Sequence, residues 1–268
     1  MPYVTTERRM NWHYEALGQG EALVFLHGWA ASSKVFVQQA EYFSQKYKVI
    51  LIDLPGHGKT SWQPLSFEDI AQEIGCLLEK MNISSLSLVG SSMGGVIALR
   101  LCELFPQTIK RLVMVGSLPQ FCRSPGVPLG LERAQFDKLK SQLTYKYPTI
   151  LDIFFRSLFT MEERASPRFQ WIHQFRREEY VPSREALVYL LDMLGKEDLM
   201  PILKDMKAPV LLIAGQEDYI CPPDSLAFLK RILPRGRFET IAQAGHFPFL
   251  IKAMEFNQVV EDFLLGKT

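Results

Sequence analysis

Residues 86–101, LSLVGSSMGGVIALRL, decide the fold of this 268-residue chain. An apolar run ends at Ser92, which has a glycine two positions before it and another two positions after it, and a second apolar run follows. Small residues at Gly90 and Gly94 let a chain turn sharply without collision. The pattern predicts a buried strand, a tight turn and a helix, with Ser92 either a part of the turn or a side chain held out to react.

Residues 90–94, GSSMG, match G-x-S-x-G, a pattern that acquires its meaning from a preceding strand and a following helix. The start of a helix presents free N–H groups and a partial positive charge, which stabilise an anion that forms beside the serine. A structural turn would explain the same glycines. The strand before and the helix after favour Ser92 as a nucleophile.

Apolar runs rich in β-branched residues recur along the chain and predict a mostly parallel sheet. Several are apolar without alternation, which is typical of strands that helices cover on both faces. These runs are residues 22–28, 48–56, 86–90, 111–116, 209–215 and 237–242. Helical patterns lie between them, and the one that begins at Ser66 has Asp69 three positions on, an approximate capping box. Alternation of this kind indicates an α/β fold with helices flanking the sheet.

The alternation stops between residues 118 and 195, where helical periodicity and many aromatic residues replace the strand pattern. The strand pattern then resumes at Pro209. We therefore predict an α/β core made of residues 1–117 and 196–268, with residues 118–195 inserted as a helical cap.

The composition excludes several classes of protein. Hydrophobic residues make up 47% and charged residues 22% of the chain, as in ordinary globular proteins, and the net charge of +1 gives no bulk attraction to nucleic acid or to an anionic membrane. No run approaches the roughly 20 apolar residues of a membrane span, and the N-terminus has no apolar segment typical of a secretory signal. Four scattered cysteines without a CxxC pair indicate reduced thiols in a cytoplasmic protein.

A serine nucleophile needs a base that takes its proton and an acid that orients the base. His246, in AQAGHFPFL after the last predicted strand, is the candidate base, and Asp218, in AGQEDYICPP after strand 209–215, is the candidate acid. Ser92, Asp218 and His246 stand in the order that the motif requires, each after a strand. Glu217 remains the alternative acid, and a His246 that only stabilises its loop remains the alternative to a base.

The segment FLHGWAASS, residues 25–33, follows another predicted strand and is expected to help bind an oxyanion. Gly28 allows the backbone to approach a substrate closely, so the N–H groups of Trp29 and Met93 are the candidate donors. We interpret His27 as a hydrogen-bonding support of this loop.

Neither a cofactor nor a metal is expected. The segment GHGKT, residues 56–60, resembles the end of a phosphate-binding loop, but that motif requires a glycine where this chain has Asp53. No HExxH and no cluster of histidines and carboxylates at the spacing of metal ligands occurs in the sequence.

Five segments together resemble the α/β-hydrolase superfamily, in its order and at its usual spacings: FLHGW, DLPGHGKT, GSSMGG, AGQEDYICP and AGHFPF. The resemblance implies the α/β-hydrolase fold, an acyl-enzyme mechanism without a cofactor, and a helical cap over the active site. Within the superfamily the chain is most similar to the pimeloyl-[acyl-carrier protein] methyl ester esterases of biotin synthesis, on LHGW, DLPGHGK, GSLPQF and AGHFPFL.

This closer resemblance also implies which residues contact the substrate. They are Trp29, Met93, Phe155, Leu158, Phe159 and His246. Where these esterases often have a tryptophan before the nucleophile, this chain has Ser91, which predicts a different pocket wall.

The charge of the cap gives an independent indication of a partner. Residues 118–177 contain ten Lys and Arg against five Asp and Glu, a net charge of +5 that leaves −4 for the rest of the chain. A basic cap suits the docking of an acidic acyl carrier protein. A solvated helical surface explains the same charges equally well.

The predicted function is that of a serine carboxylester hydrolase that works through an acyl-enzyme. It would demethylate a methyl ester of a medium-chain acyl group, such as pimeloyl-[acyl-carrier protein]. Three alternatives remain: a general carboxylesterase for small esters, a hydrolase of amide or carbon–carbon bonds on the same three residues, and a non-catalytic receptor for small ligands.

Overall fold

A computed structural model describes residues 3–177, 181–233 and 235–267, without the side chains of Phe175 and Arg177. Its strands form one eight-stranded sheet. They are β1 (Tyr3–Thr5), β2 (Asn11–Leu17), β3 (Ala22–Leu26), β4 (Lys48–Ile52), β5 (Leu86–Ser91), β6 (Ile109–Val115), β7 (Val210–Gly215) and β8 (Arg237–Ile241). Their order in the sheet is β1-β2-β4-β3-β5-β6-β7-β8.

The sheet is mostly parallel, as the continuous apolar runs predict. Strands β3 to β8 pair in parallel, whereas β1 and β2 are antiparallel at one edge. All residues of β3, β5 and β7 are buried, because helices cover both faces of the sheet. Each predicted strand is present, and the sequence analysis missed β1 and β2.

The helices lie between the strands in sequence or follow the last strand. They are α1 (Val37–Phe43), α2 (Phe67–Lys80), α3 (Met93–Leu104), α4 (Arg133–Lys146), α5 (Thr149–Ser157), α6 (Met161–Ala165), α7 (Pro167–Arg177), α8 (Arg184–Leu194), α9 (Met200–Asp205), α10 (Pro223–Ile232), α11 (Pro248–Ile251) and α12 (Ala253–Leu264). The predicted capping box of α2 is present, since Ser66 Oγ accepts the N–H of Asp69 at 3.0 Å and the Asp69 carboxylate accepts the N–H of Ser66 at 3.3 Å. None of the helices in the described ranges has the length and apolar content that crossing a bilayer requires.

Helices α4 to α8 form the inserted region between β6 and β7. The described residues of this region, 118–177 and 181–195, contain no strand of the sheet. A helical insertion is therefore confirmed, and its bounds at 118 and 195 stay a prediction.

The parallel strands bring four loops to one edge of the sheet. Leu26 of β3 pairs with Gly90 of β5, and Gly215 of β7 pairs with Ile241 of β8, so these strands end at similar heights. Loops at the carboxyl ends of parallel strands form the usual binding crevice of such a fold. All predicted catalytic residues lie in these loops.

Candidate active site

Ser92 lies between β5 and α3 in a strained backbone conformation. Its φ of 52° and ψ of −119° are rare for a residue with a side chain. Two hydrogen bonds hold this geometry: the Ser92 N–H donates to Val115 O at 3.0 Å, and Ser117 Oγ donates to Ser92 O at 2.7 Å. The turn therefore fixes Ser92 at the carboxyl end of the central strand.

The glycines around Ser92 are required by close packing. A Cβ on Gly94 would lie 2.1 Å from Leu26 O, and a Cβ on Gly90 would lie 2.6 Å from the backbone of Gly95. Helix α3 can approach β3 and β5 this closely only because both positions lack a side chain. The sequence pattern thus has the physical basis that the spacing predicts.

His246 and Asp218 are joined by a buried hydrogen bond. His246 Nδ1 lies 2.8 Å from Asp218 Oδ2, and the exposed fractions of the two side chains are 3% and 0%. The other oxygen of Asp218 accepts the backbone N–H groups of Ile220 and Cys221, at 2.8 and 3.0 Å. Since a carboxylate only accepts, Nδ1 carries the proton, and Nε2 is left as a base. The alternative acid, Glu217, is exposed.

Asp218 and His246 also belong to the one group in the described part of the chain that has metal-ligating side chains close together. Its third member is Cys221, and the three ligand atoms lie within 4.8 Å of one another. Burial raises the pKa of the Cys221 thiol well above its usual value, which disfavours the thiolate form. The hydrogen bond between His246 and Asp218 accounts for this cluster without a metal.

The loop after β3 lies directly against Ser92. A Cβ on Gly28 would be 3.1 Å from the Cβ of Ser92, a contact so tight that any larger residue would press on the serine. The next residue, Trp29, is fixed by the cap, because its indole N–H donates to Leu187 O at 3.0 Å and its ring meets that of Phe154 edge-on at 5.1 Å. The backbone of Trp29 therefore lies beside the predicted nucleophile.

His27 supports this loop, as the sequence predicts. Its Nδ1 donates to Gly28 O at 2.8 Å, and its Nε2 accepts the N–H of Leu54 at 2.9 Å. Because Gly28 offers a carbonyl and Leu54 offers an N–H, the ring is the neutral Nδ1–H tautomer in both contacts. His27 is thus occupied by structural hydrogen bonds.

His57 supports the same loop from the other side. Its Nδ1 donates to Pro55 O at 3.0 Å and its Nε2 accepts the N–H of Ala30 at 3.1 Å. Ala30 has a φ of 58°, so this hydrogen bond stabilises a strained residue next to Trp29. Burial, together with the interaction with the neighbouring His27 ring, lowers the pKa of His57 to about 3.

This pKa makes the fold sensitive to mild acid. The unfolded chain protonates His57 below about pH 6.5, whereas the folded chain does so only below about pH 3, so stability is lost as the pH falls through that window. We expect His57 alone to lower the free energy of unfolding by about 2 kcal/mol between pH 7 and pH 5. In urea unfolding at both pH values, the stability gap between wild type and His57→Gln should shrink by that amount. A gap that stays constant contradicts this prediction.

The segment that resembles a phosphate-binding loop encloses a carboxylate of the chain itself. Asp53 accepts the N–H groups of Ser33 and Lys59, both at 2.9 Å, and a Cβ on Gly58 would collide with the Asp53 carboxyl group at 2.2 Å. Burial alone would raise the pKa of Asp53, but the interaction with the nearby His27 ring and these N–H groups outweigh it and lower the pKa. The acceptor site of the loop is therefore already filled.

Ser92 and His246 line one cavity of about 40 Å³. Most of the remaining wall is apolar, and eight residues of it come from the cap: Phe121, Leu131, Phe136, Leu139, Phe154, Leu158, Leu191 and Leu194. Of the predicted contacts, Trp29, Leu158 and His246 line this cavity. The sequence analysis missed the contributions of α4 and α8, whose only signal was apolar spacing along a cap helix.

The other predicted contact residues lie elsewhere. Phe155 lines a separate cavity of about 400 Å³, between the loop after β3 and helices α5 and α7. Phe159 packs on Phe169, with ring centroids 5.0 Å apart, and the Met93 side chain is fully buried. Contacts of these side chains with a substrate stay predictions.

Comparisons with known proteins add to this geometry. A family model described as "alpha/beta hydrolase fold" matches residues 21–148 and 131–253. The chain belongs to the α/β-hydrolase family. The predicted fold class is thereby confirmed, and this α/β hydrolase is an enzyme of the esterase type.

Two curated relatives of this α/β hydrolase carry the same name. The chain is 31% identical over 238 residues to a pimeloyl-[acyl-carrier protein] methyl ester esterase of Nitrosomonas europaea. The alignment covers 89% of this chain and 93% of the relative. It is 30% identical over 254 residues to the esterase of that name from Xanthomonas oryzae pv. oryzae, in an alignment that covers 94% of this chain and 98% of the relative. The similarity extends over nearly the whole length of each protein.

Solved structures agree on the fold. An esterase from Exiguobacterium antarcticum superimposes with a TM-score of 0.88 at 24% identity, over 97% of this chain and 98% of its own. An enol-lactonase from Burkholderia xenovorans superimposes with a TM-score of 0.87 at 19% identity, over 98% of this chain and 100% of its own. At such identities the likeness extends to the fold alone.

Proposed function

We propose that this α/β hydrolase is a serine carboxylesterase with Ser92 as nucleophile, His246 as base and Asp218 as the acid that orients it. One observation carries the proposal. His246 donates Nδ1–H to a buried carboxylate, which frees Nε2 as a base, while His246 and Ser92 line the same cavity. A strained serine at the start of a helix is typical of a nucleophile.

The reaction follows from these positions. Ser92 Oγ attacks the ester carbonyl carbon while His246 Nε2 takes the hydroxyl proton. The bond to the alcohol then breaks, and the imidazolium returns the proton to the departing oxygen. Water attacks the acyl-Ser92 ester, again with His246 as base, and releases the acid. Asp218 stabilises the imidazolium in both halves, and no cofactor or metal takes part.

The oxyanion is assigned to two backbone N–H groups. Met93 is the first residue of α3, where an N–H has no acceptor inside the helix and the helix dipole favours negative charge. Trp29 follows Gly28, and both residues line the same cavity as Ser92. Loss of one such donor typically costs on the order of 100-fold in rate.

The proposed substrate is the methyl ester of a medium-chain acyl group, such as that of pimeloyl-[acyl-carrier protein]. The names of the two relatives and the apolar wall around Ser92 support this choice. Trp29 and Leu158 would contact the ester end of the substrate, and Phe155 and Phe159 would contact its acyl chain farther from the ester. A role in biotin synthesis and a place in the cytoplasm stay predictions.

A matched set of substrates tests the chemistry against its alternatives. We expect turnover of a medium-chain methyl ester, and no turnover of the corresponding N-methyl amide or of a ketone with the same acyl chain. A fluorophosphonate probe should label Ser92, identified by mass spectrometry of the labelled peptide. Faster cleavage of the amide or the ketone would favour a hydrolase of that bond, and an unlabelled, inactive protein would favour a receptor.

We further propose that the cap docks an acyl carrier protein. Lys138 and Lys146 on α4 and Arg156 on α5 are exposed. Arg177 is one of the ten basic residues counted in residues 118–177, but its side chain lies outside the described residues. Residues 178–195 add one basic and four acidic side chains, so the net charge of residues 118–195 is only +2. Helix α4 alone carries four basic side chains against one acidic side chain, so docking is expected on this helix.

Charge reversal tests this docking. We expect Lys138→Glu combined with Lys146→Glu to raise KM for a carrier-linked methyl ester on the order of 10-fold, because attraction to an acidic partner is lost. The KM for a free p-nitrophenyl ester should stay within about twofold. Lys230→Glu on α10, an equally exposed lysine of the core, is the control and should change neither value. Equal effects on both substrates, or no effect, would refute carrier docking at α4.

A further inference from the structure

The cap is hydrogen-bonded to the backbone that carries His246. The His246 N–H donates to Leu158 O at 2.8 Å, and the N–H of Gly245 donates to Glu163 Oε1 at 3.1 Å. Leu158 and Glu163 lie at the junction of α5 and α6, and Glu163 is separated from Gly245 by 82 residues in sequence. Two successive N–H groups of the histidine loop are thus held by one short piece of the cap.

Glu163 has a local partner as well. It is the third residue of α6, where its Oε2 accepts the N–H of Thr160 at 2.8 Å and its own N–H donates to Thr160 Oγ1 at 3.1 Å. These two bonds form an ordinary capping box. The second oxygen of the carboxylate is what is unusual, because it accepts the N–H just before His246 instead of facing water.

The glycine before His246 is required by this contact. A Cβ on Gly245 would lie 2.5 Å from Leu158 O and 2.9 Å from Glu163 Oε2. On the core side, the His246 ring packs on Gly116, where a Cβ would lie 3.0 Å from the ring. The core therefore holds the imidazole, and the cap holds the backbone behind it.

Glu163 is a buried carboxylate, with 4% of the residue exposed. No ion pair to it occurs among residues 3–177, 181–233 and 235–267. Burial raises its pKa, and the N–H groups of Thr160 and Gly245 act in the opposite direction. A carboxyl group in this environment is costly unless its hydrogen bonds are kept. A role that only capped α6 would not need burial against the histidine loop.

We infer that Glu163 is a positioning residue that sets His246 relative to Ser92 through the N–H of Gly245. The inference rests on the proposed function, because it takes His246 as the base. Its consequence is that the cap helps to assemble the catalytic geometry, and that cap residues contribute to kcat as well as to substrate binding.

Two variants separate positioning from helix capping. Glu163→Asp shortens the side chain by one methylene, so it loses the N–H of Gly245 but keeps a capping box of the kind that Asp69 forms at α2. Thr160→Ala removes the hydroxyl acceptor of the capping box but leaves Glu163 on Gly245. We expect Glu163→Asp to lower kcat for a p-nitrophenyl ester about 10- to 100-fold, because displacement of a reacting group by about 1 Å costs that much. Its KM should stay within about twofold.

Thr160→Ala should show the reverse, a melting temperature lower by about 2–4 °C with kcat within about twofold of wild type. A spectroscopic readout is independent of rates: the proton resonance of His246 Nδ1–H should shift or broaden in Glu163→Asp and not in Thr160→Ala. An unchanged kcat and resonance in Glu163→Asp, or an equal loss of kcat in both variants, would overturn the inference.

The same assay distinguishes this outcome from failure of the proposed function. Inactive Ser92→Ala together with fully active Glu163→Asp would refute the role of Glu163 alone. Active Ser92→Ala would refute the proposed function, whatever Glu163→Asp does.

Discussion

Replacement of Ser92 by alanine is expected to lower kcat for ester hydrolysis by about 10⁴-fold or more. The variant lacks the oxygen on which the proposed acyl-enzyme would form. The backbone should be unaffected, because alanine adopts the φ of 52° at the same cost as serine. Initial rates with a p-nitrophenyl ester and with a medium-chain methyl ester measure the effect, and thermal unfolding verifies the fold.

Ser91 provides a matched control one residue away. Its Oγ is buried and has no hydrogen-bond partner among the described residues, and its side chain is not part of the cavity wall at Ser92. Ser91→Ala should therefore keep kcat within about twofold of wild type. Equal rates for wild type and Ser92→Ala would show that the reaction does not pass through this hydroxyl, and would end the proposal.

The central sheet could be predicted because each of its strands has a recognisable pattern in the local sequence. Strands β3, β5 and β7 are buried on both faces, so they appear as continuous apolar runs that need no tertiary information. Strands β1 and β2 could not be found in this way. They lie at one edge of the sheet, pair antiparallel and carry exposed polar residues, so their sequence resembles a polar terminus.

The meeting of the loops of the candidate site was predictable for a related reason. Parallel strands fix which loops share an edge, so a serine, an aspartate and a histidine that each follow a strand are expected to meet. The residues that support them were not predictable. Ser117 donates to Ser92 O and Gly116 makes room for His246, but in the sequence both are ordinary turn residues.

The cap is where sequence analysis reaches its limit. Which face of α4 or α8 lines the cavity depends on how the cap sits on the core, and apolar spacing looks the same on either side. The hydrogen bond between Glu163 and Gly245 joins residues 82 positions apart. The spacing from Thr160 marks Glu163 as a helix cap, but no local pattern marks it as a partner of the histidine loop. Contacts of this kind become visible only in three dimensions.

Replacement of Asp218 by asparagine is expected to lower kcat by about 10⁴-fold. The side-chain oxygen that accepts the N–H groups of Ile220 and Cys221 must remain an oxygen, because an NH₂ group there would face two donors. The NH₂ group of asparagine is therefore directed at His246 Nδ1, which then has to accept. The imidazole proton moves to Nε2, and the ring can no longer take a proton from Ser92.

Glu217→Gln is the matched control, since it makes the same change of charge one residue earlier on an exposed side chain. Its kcat should stay within about twofold of wild type, and both variants should keep the fold, because an amide replaces a carboxyl of the same shape. Comparison of kcat for the two variants over a range of pH tests which of the two carboxylates, Asp218 or Glu217, orients His246. A large loss in Glu217→Gln with an active Asp218→Asn would reverse the two roles. Equal losses would mean that the negative charge near His246 matters and that the tautomer does not, which would contradict the orienting role of Asp218.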